Sequence, residues 1–236
     1  DINFSEEVKK LWNLHFEKRY LSEKKFFGTE KSIPNTISNK LIVNNDNEFN
    51  SKKVLDFVKS INPDACFISG TPIVKDPIFS ALPDYKINLH LGLIPHYKGS
   101  ITMFWPFYFL EPSMAGTTYH VIDKLADTGE IIHQNVPILS YGDGMHDVAC
   151  KAVLTALNDL NIVVEEIMRR IKYNIKPNKD SSLSKKGKFF KNANWKPEML
   201  KKIYNIYDDK IVDLYLNNKI KCRKPDLIKI IYGNSK

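Results

Sequence analysis

The chain has 236 residues, of which 43% are hydrophobic, and a formal net charge of +8. This length is sufficient for one sizeable core, and the hydrophobic share is ordinary for a globular protein. The three cysteines lie far apart and form no CxxC or Cys/His cluster, which argues against a disulfide framework and a zinc site. Cysteine usage of this kind fits a reducing cytoplasm.

Membrane and nucleic-acid partners are not expected. No apolar run approaches the roughly 20 residues that span a bilayer, and no signal peptide is visible. The positive charge fits a nucleic acid or a phosphorylated small molecule, and it fits equally well a surface rich in solvated lysines. The aromatic segment 101–110 contains no basic residue, whereas surfaces that stack on bases interleave the two types.

The first part of the chain predicts helices and two strands. Helical spacing of apolar residues predicts a helix over 1–28 and another over 51–60, which Ser51 would cap. Residues 29–50 are polar and irregular. The apolar run 65–69 predicts a buried strand, and 85–90 predicts a second. A strand, a turn-flanked helix and another strand indicate parallel α/β architecture.

The second part predicts a hairpin and long helical segments. In chain order we expect a helix over 100–110, capped by Ser100 or kinked by Pro106; a hairpin of strands 116–122 and 130–136; an amphipathic helix over 144–173; a polar linker over 176–188; and a helix over 197–216.

These elements predict an α/β fold with a Rossmann-like, open and mostly parallel sheet. Doubly wound domains usually open on an apolar strand and a tight turn into a helix. This sequence opens on a helix and begins at Asp1, so we expect the first βαβ unit to be missing from it. We place a catalytic domain over 1–175, followed by a linker and a small, mainly helical extension over 176–236. That extension is the segment expected to pair subunits in a homodimer.

Two polar residues end the second predicted strand. Asn88 and His90 lie two positions apart in INLHLGLIPHYKGS, so their side chains point to the same side. Open α/β sheets bind ligands at the carboxyl ends of their strands. An Asn donates an N–H to a developing oxyanion, and a His exchanges protons near neutral pH. The alternative is structural: Asn88 bonds a nearby turn, and His90 is a buried histidine with satisfied hydrogen bonds.

The hairpin loop carries two aspartates, Asp123 and Asp127, in IDKLADTGEIIHQ. On its own, Asp127 before a Thr-Gly pair is typical of an ordinary turn. We interpret the remaining histidines of this region as strand and helix residues without chemistry: His120, His133 and His146.

Together these segments resemble the formyltransferases that use N10-formyltetrahydrofolate. The family pattern is Asn-x-His at a strand end, a Pro/Gly loop, and then a loop Asp in an Asp-x-Gly context. Here it falls on Asn88, His90 and Asp127. The resemblance covers residues 63–136 well, and the preceding helix and residues 192–211 more loosely. It implies the formyltransferase fold and an enzyme.

The resemblance also implies a role for each catalytic residue. Asn88 holds the formyl oxygen as it becomes an oxyanion, and His90 donates to the same oxygen or relays a proton. Asp127 orients His90 and accepts the amine proton through water. The chemistry requires no metal and no covalent enzyme intermediate.

Ligand contacts follow from the same resemblance. It places the folate co-substrate between the turn after the first strand and the loop that bears Asp127, which comprise Thr71, Pro72, Ile73, Val74, Ile122, Asp123, Lys124 and Leu125. Ser100 would let the backbone approach the ligand closely, although it also suits a helix cap, and Ile73 and Val74 also suit an ordinary core. Four residues beyond Pro95 either meet a phosphate or sugar hydroxyl of the substrate or form a solvated loop: His96, Tyr97, Lys98 and Gly99.

One departure from the family pattern bears on the substrate. Members with purine or tRNA substrates usually read His-Pro-Ser-Leu-Leu-Pro, whereas Leu91 and Gly92 follow His90 here. This version, with Trp-Pro-Phe after it, is more similar to the sugar-modifying branch. The tRNA enzymes also carry a C-terminal β-barrel, whereas this tail has a helical pattern, which argues against tRNA.

We therefore expect formyl transfer to the amine of a nucleotide-linked sugar, of the dTDP- or GDP-4-amino-4,6-dideoxy class used in lipopolysaccharide biosynthesis. The alternative enzymes are a purine-type (glycinamide ribonucleotide) transformylase and a formyltetrahydrofolate hydrolase. The non-enzyme alternative is a folate- or nucleic-acid-binding protein without turnover. The presence of Asn88, His90 and Asp127 argues against this non-enzyme alternative. The absence of the first βαβ unit, whose turn often binds a phosphate, argues for it.

Overall fold

The N-terminal segment is a long helix, as its apolar spacing predicts. The structure, a computed structural model, describes residues 4–29, 39–178 and 186–230. Helix α1 (Glu6–Phe27) begins after Ser5, whose hydroxyl accepts a hydrogen bond from the Val8 N–H, and it ends at Gly28, which has a φ of 75°. A side-chain acceptor at the start and a left-handed glycine at the end satisfy groups that the helix leaves unpaired.

Two further helices precede the sheet. Helix α2 (Asp46–Phe49) is not predicted from the sequence; it forms because the Asn45 side chain accepts from two backbone N–H groups of its first turn. Helix α3 (Lys52–Ile61) matches the prediction, and Ser51 holds the cap position without a side-chain hydrogen bond to the helix. Among the described residues, no strand precedes Cys66.

The described residues contain a four-stranded sheet and a two-stranded sheet. The strands are β1 (Cys66–Ile68), β2 (Lys86–His90), β3 (Tyr97–Gly99), β4 (Thr117–Val121), β5 (Ile131–Asn135) and β6 (Lys188–Phe190). The larger sheet has the order β1-β2-β4-β5, and β3 pairs with β6. Strand β6 begins at the end of the predicted linker, of which residues 179–185 lie outside the described residues.

The α/β class is confirmed, but the prediction of a mostly parallel sheet is wrong for the described strands. In the larger sheet β1 and β2 are parallel, whereas β2–β4 and β4–β5 are antiparallel. The separate pair β3–β6 is parallel. The predicted hairpin itself gives the reason, because a short loop reverses the chain between β4 and β5. The four-residue helix α4 (Ile78–Ala81) lies between β1 and β2. Between β2 and β4 the chain has β3, the four-residue helix α5 (Trp105–Tyr108) and a 3₁₀ turn (Pro112–Met114), so no long crossover helix intervenes.

Helix α6 (Met145–Lys172) covers one face of the larger sheet. Its residues Ala156, Val163 and Ile167 pack with Ile87 and Tyr119 of the strands in one buried cluster. The Tyr119 hydroxyl donates to the Ala156 carbonyl at 2.9 Å, which ties the strand to the helix. The opposite face of β2 and β4 is thereby left to carry polar side chains.

A second core joins the two ends of the described chain. It contains Leu11 of α1, two aromatic residues of the segment after β3 and five residues from the C-terminal part of the chain. The aromatic residues are Phe104 and Trp105, and the C-terminal residues are Phe190, Leu200, Ile203, Ile211 and Val212. The aromatic segment forms only α5, so the predicted helix over 100–110 is mostly wrong, and Phe104 rather than Ser100 precedes its first turn. The predicted domain boundary at residue 175 stays a prediction.

The C-terminal segment is helical but broken. In place of one helix over 197–216, it has a 3₁₀ turn (Pro197–Met199), a π-helical turn (Lys202–Ile206) and helix α7 (Ile211–Leu216). Farther on, the chain lies along β5, where the Gln134 N–H donates to the Ile228 carbonyl at 2.7 Å and covers the open sheet edge. No described helix combines the length and apolar character that crossing a bilayer would need.

The π-helical turn allows a matched test of this second core. Ile203 is 0% exposed and Ile206 is 69% exposed. We expect Ile203→Ala to lower the free energy of unfolding by about 2–5 kcal/mol, because it leaves a cavity, and Ile206→Ala to change it by less than about 0.5 kcal/mol. Urea denaturation followed by circular dichroism measures both. Equal effects would show that the C-terminal segment does not contribute to the core.

Candidate active site

The end of β2 presents Asn88 and His90 on one face of the sheet, as their spacing predicts. Antiparallel pairing places Asn88 opposite His120 and His90 opposite Thr118 on β4. Asn88 is partly exposed, whereas His90 is only 7% exposed. The polar face of the two strands therefore combines an accessible amide with two buried imidazoles.

The loop after β4 folds back over this face and places Asp127 next to it. The loop starts where the Ile122 N–H donates to the Lys86 carbonyl at 2.8 Å. The Asp123 carboxylate then turns the chain by accepting from the Leu125 N–H at 2.7 Å and the Thr128 hydroxyl at 2.8 Å. Asp127 has a φ of 56°, the left-handed conformation that Asp adopts more readily than most residues.

The Asp127 carboxylate lies between both imidazoles and the backbone of β3. Its Oδ1 is 3.6 Å from His90 Nδ1 and 3.4 Å from His120 Nε2. Its Oδ2 accepts a hydrogen bond from the Gly99 N–H at 2.7 Å. The structure thus brings together Asn88, His90 and Asp127, which come from two separate sequence segments.

Asn88 is oriented by His120. His120 Nδ1 lies 3.0 Å from the Val121 carbonyl and donates to it, so in the neutral ring Nε2 carries the lone pair. That lone pair accepts from the Asn88 amide, 3.1 Å away. The second amide hydrogen and the carbonyl oxygen of Asn88 have no partner among the described residues, so both can contact a ligand.

His90 is held by hydrogen bonding and kept neutral by burial. Its Nε2 lies 2.8 Å from the Tyr97 carbonyl and donates to it, which leaves Nδ1 facing Asp127. Burial lowers the pKa of His90 below its ordinary value, although the Asp127 carboxylate acts to raise it. At pH 7 the ring is therefore neutral, with an accepting nitrogen beside a carboxylate.

Asp127 is ionised despite its burial. Burial alone would raise the pKa of its carboxyl, but the hydrogen bond that the Gly99 N–H donates to Oδ2 stabilises the carboxylate, and the pKa lies below its usual value. The site therefore contains one carboxylate and two imidazoles. This arrangement can accept and relay a proton.

The segment after His90 is packed, so the alternative of a solvated loop is wrong for Tyr97 and Lys98. Tyr97 is buried, its ring stacks on Phe190 and its hydroxyl donates to Glu111. Lys98 is only 4% exposed. Strand pairing with β6 buries both side chains, and their contact with a substrate stays a prediction. His96 remains partly exposed and accepts from Arg223 at 3.0 Å.

Two small residues near the site have packing roles. Gly99 has a φ of 90°, and a side chain there would meet the Phe190 carbonyl oxygen at 2.2 Å, so pairing with β6 explains this glycine. A side chain at Gly92 would meet His90 Nε2 at 2.7 Å and the Tyr97 oxygen at 2.5 Å. Gly92 therefore fixes the position of the His90 ring. Ser100 uses its N–H to bond the Phe190 carbonyl.

The residues predicted to bind folate lie on two partly exposed loops. Strand β1 is parallel to β2, with Ile68 beside Asn88, so Thr71, Pro72, Ile73 and Val74 follow at the same sheet edge as His90. The Asn50 side chain bonds the Ile73 carbonyl at 3.0 Å and the Lys75 N–H at 2.8 Å, which fixes this loop. Ile73 is 74% exposed, so it is not a core residue. In the other loop, Ile122 and Asp123 are partly buried, and Lys124 and Leu125 are exposed.

His120 is the site residue that the sequence interpretation missed. Its signal is the predicted hairpin: once β4 lies beside β2, alternation puts every second residue on the face of Asn88. By contrast His133 is structural, because it bonds Asp159 at 3.0 Å. Within residues 4–29, 39–178 and 186–230, no three His, Cys, Asp or Glu side chains are grouped to hold a metal ion.

Comparison with known proteins confirms the resemblance to formyltransferases. No protein-family model matches the chain. A methionyl-tRNA formyltransferase of Caldanaerobacter subterraneus subsp. tengcongensis is 29% identical over 84 residues, which are 35% of this chain and 27% of that protein. The bifunctional polymyxin resistance protein ArnA of Wigglesworthia glossinidia brevipalpis is 28% identical over 116 residues, 49% of this chain and 17% of that protein. The matches thus span less than a third of either relative.

A solved structure is similar as well. The formyltransferase PseJ from Anoxybacillus kamchatkensis, in complex with UDP-4,6-dideoxy-4-formamido-L-AltNAc and tetrahydrofolate, is 23% identical. The alignment covers 64% of this chain and 76% of that one, with a TM-score of 0.44.

Removing the Asp127 charge is expected to lower the pKa of His90 further. The carboxylate is the main group that opposes the effect of burial on this imidazole. NMR titration of the ¹⁵N-labelled histidines in Asp127→Asn measures the shift. Asp56→Asn removes a carboxylate from the surface of α3, where it pairs with Lys52, and serves as the control. A His90 pKa that is unchanged or higher in Asp127→Asn would contradict the described contact.

Adding a methyl group at Gly92 is expected to displace the His90 ring. Gly92→Ala forces overlap with two fixed groups, so we expect a loss of about 1–3 kcal/mol in the free energy of unfolding and shifted His90 imidazole resonances. Leu91→Ala, at the adjacent exposed position, should leave those resonances in place. Unshifted His90 signals in Gly92→Ala would show that the ring is not fixed by this contact.

Proposed function

We propose that this chain transfers the formyl group of N10-formyltetrahydrofolate to the amine of a nucleotide-linked amino sugar. The observation that carries the proposal is the convergence of Asn88, His90 and Asp127 at the end of β2. The residue types and their order along the chain match the family pattern. The sequence similarity to a methionyl-tRNA formyltransferase supports the same reaction class.

Formyl transfer places negative charge on the formyl oxygen as a neutral amine attacks. Asn88 has an accessible side chain, and one of its amide hydrogens finds no partner among the described residues, while the other is fixed by His120. A donor oriented in this way stabilises developing charge without reorganising during the reaction. We therefore assign to Asn88 the role of principal donor to that oxygen.

The amine must lose a proton during the transfer. Asp127 is a carboxylate beside His90 Nδ1, and that nitrogen is neutral and accepting. Because His90 and Asp127 are both largely buried, the proton reaches them through water or a substrate group at the mouth of the site. An imidazolium formed at His90 would be stabilised by the adjacent carboxylate. Its Nε2 keeps the contact with the Tyr97 carbonyl throughout.

The residues present fit a folate. The co-substrate supplies an activated formyl carbon when bound. The loop over 71–74 offers backbone donors and acceptors held in place by Asn50, and it exposes the apolar side chain of Ile73. Leu125, 66% exposed, offers a second apolar surface on the loop that carries Asp127. Apolar walls with a few fixed polar groups are typical of small-molecule sites.

The substrate class rests on the Leu91–Gly92 variant of the motif. Gly92 replaces the Ser that is usual in purine and tRNA enzymes of the family, and a Cβ at this position would meet the His90 ring. We assign the chain to the sugar-modifying branch, with a dTDP- or GDP-4-amino-4,6-dideoxy sugar as substrate. Such a reaction belongs to lipopolysaccharide biosynthesis in the cytoplasm. The ordered C-terminal segment would be the pairing surface of a homodimer.

A panel assay separates this reaction from its alternatives. The purified chain is incubated with N10-formyltetrahydrofolate and, in parallel, dTDP- and GDP-4-amino sugars, glycinamide ribonucleotide, methionyl-tRNA, or buffer alone. Mass spectrometry identifies the formylated product, and a formate assay reports hydrolysis. Product from a sugar supports the proposal; formate release in buffer alone indicates a hydrolase. Folate binding without any product indicates a binding protein. Nucleic-acid binding that weakens steeply with salt would indicate the remaining alternative.

Asn88→Ala is expected to lower kcat by about 10²–10³-fold, the usual cost of losing one oxyanion donor. The effect should fall on kcat more than on KM, because the hydrogen bond strengthens only as charge develops. Asn47→Ala, on the exposed surface of α2, is the control. Full activity in Asn88→Ala, with the fold intact by circular dichroism, would remove Asn88 from the mechanism.

A further inference from the structure

A cavity beside the end of β2 belongs neither to the candidate active site nor to the folate loops. Its volume is about 360 Å³, which lies within the range of small-molecule sites in proteins. The lining residues come from α1, from the first half of α6 and from the segment that follows His90. Those of α1 lie four positions apart and therefore form one stripe along the helix: His15, Arg19, Glu23 and Phe27.

The cavity lies on the sheet face opposite to the loop that carries Asp127. Helix α6 covers the face away from Asn88 and His90, and several residues of this helix line the cavity. Leu91, which lines it as well, is only three residues from Asn88, a span of at most about 10 Å. The cavity and the loop over 122–127 thus approach the end of β2 from opposite sides. This arrangement suits a reaction in which two substrates meet at one carbon.

Arg19 presents an oriented guanidinium to the cavity. Its Nε donates to the Glu23 carboxylate, one turn farther along α1, at 2.7 Å. Its two terminal NH₂ groups have no hydrogen-bond partner within residues 4–29, 39–178 and 186–230, and neither has the second carboxylate oxygen of Glu23. A guanidinium offers parallel N–H groups to one anion, and this fork matches phosphate and carboxylate. The free carboxylate oxygen can accept from a hydroxyl or a base N–H.

His15 adds a second donor, one turn before Arg19. A chain of neutral hydrogen bonds sets its tautomer: His146 Nε2–H donates to the Tyr204 oxygen, 3.5 Å away, and the Tyr204 hydroxyl donates to His15 Nδ1 at 2.9 Å. The proton of His15 is therefore on Nε2, which has no hydrogen-bond partner in the described part of the chain. Burial, and after it the Arg19 charge, lower the pKa of His15 to about 4, so this ring is neutral at pH 7.

Apolar side chains complete the walls, and one of them belongs to a strained residue. Ile101 has a φ of 57°, a conformation that β-branched residues rarely adopt. Its side chain is nevertheless 42% exposed, so burial of that side chain does not explain the strain. The adjacent Thr102 hydroxyl donates to the Leu91 carbonyl and joins the two segments of this wall. Backbone strain of this kind is typical of residues that hold a ligand.

We infer that this cavity binds the nucleoside diphosphate part of the acceptor substrate, with Arg19 and the His15 Nε2–H holding its phosphates. The inference rests on the proposed function and names the site that would select the acceptor. The apolar wall and the free oxygen of Glu23 suit a heteroaromatic base. From there the amino sugar would extend past Leu91 to Asn88. A folate carries no phosphate, and the loop over 122–127 lies on the other face.

Binding measured without turnover tests the inference. Isothermal titration calorimetry of the chain is run with dTDP, GDP and UDP, and separately with a stable 10-formyl folate analogue. We expect saturable binding of a nucleoside diphosphate, which Arg19→Gln weakens by about 10–100-fold, the usual effect of losing hydrogen bonds to a charged group. Folate affinity should not change. Lys24→Gln removes a positive charge from an exposed position of α1 outside the cavity and should change neither affinity.

A variant that fills the cavity locates the bound nucleotide. Ala149 of α6 lines the cavity, so Ala149→Phe should abolish nucleotide binding and leave folate binding intact. Asn158→Phe adds the same ring at an exposed position of the same helix and should bind both ligands normally. Circular dichroism checks the fold of each variant. If Ala149→Phe does not fold, the exposed Arg19→Gln substitution decides.

The outcomes for the cavity and for the reaction are separate. Absence of saturable nucleoside diphosphate binding, or binding that Arg19→Gln leaves unchanged, would overturn the inference even if the panel assay yields a formylated sugar. Weaker folate binding in Arg19→Gln would also overturn it, because the anion would then be a folate carboxylate. Nucleotide binding that depends on Arg19, without formylated product from any sugar, would support the cavity site and contradict the proposed reaction.

Discussion

The candidate site depends on one buried carboxylate. Asp127 accepts from the Gly99 N–H and lies within 3.6 Å of His90 and 3.4 Å of His120, so it joins β2, β3 and β4 at a single point. Each contact has a separate structural cause. The Asp123 turn returns the loop to the sheet, and pairing with β6 positions Gly99. Loss of any one of these would weaken the compensation of a buried charge.

In the proposed reaction the accessible Asn88 and the buried pair His90 and Asp127 have different roles. Asn88 is partly exposed and has unpaired hydrogen-bonding capacity, which suits contact with a changing ligand. His90 and Asp127 are largely buried, which makes their charge states sensitive to one another. A neutral imidazole beside a carboxylate can take up a proton without placing net positive charge in the interior. Gly92 preserves this geometry, because a larger residue would meet the ring that the carboxylate faces.

Local patterns predict much of the fold and the central part of the site. Alternation along β2 places Asn88 and His90 on one face, and helical spacing predicts α1, α3 and α6. Features that depend on contacts distant in sequence are missed. His120 joins the site through strand register, and Tyr97 and Lys98 are buried through pairing with β6, some ninety residues later. The roles of the folate loops stay predictions.

The central claim is that Asn88 holds the formyl group, and binding of a stable 10-formyl folate analogue tests it most directly. The side-chain amide of Asn88 can be followed by ¹H–¹⁵N NMR and identified by its loss in Asn88→Asp. We expect saturable binding that shifts this amide together with backbone signals of the loops over 71–74 and 122–127. Saturable binding that leaves the Asn88 amide and both loops unchanged, or no binding at all, would contradict the assignment.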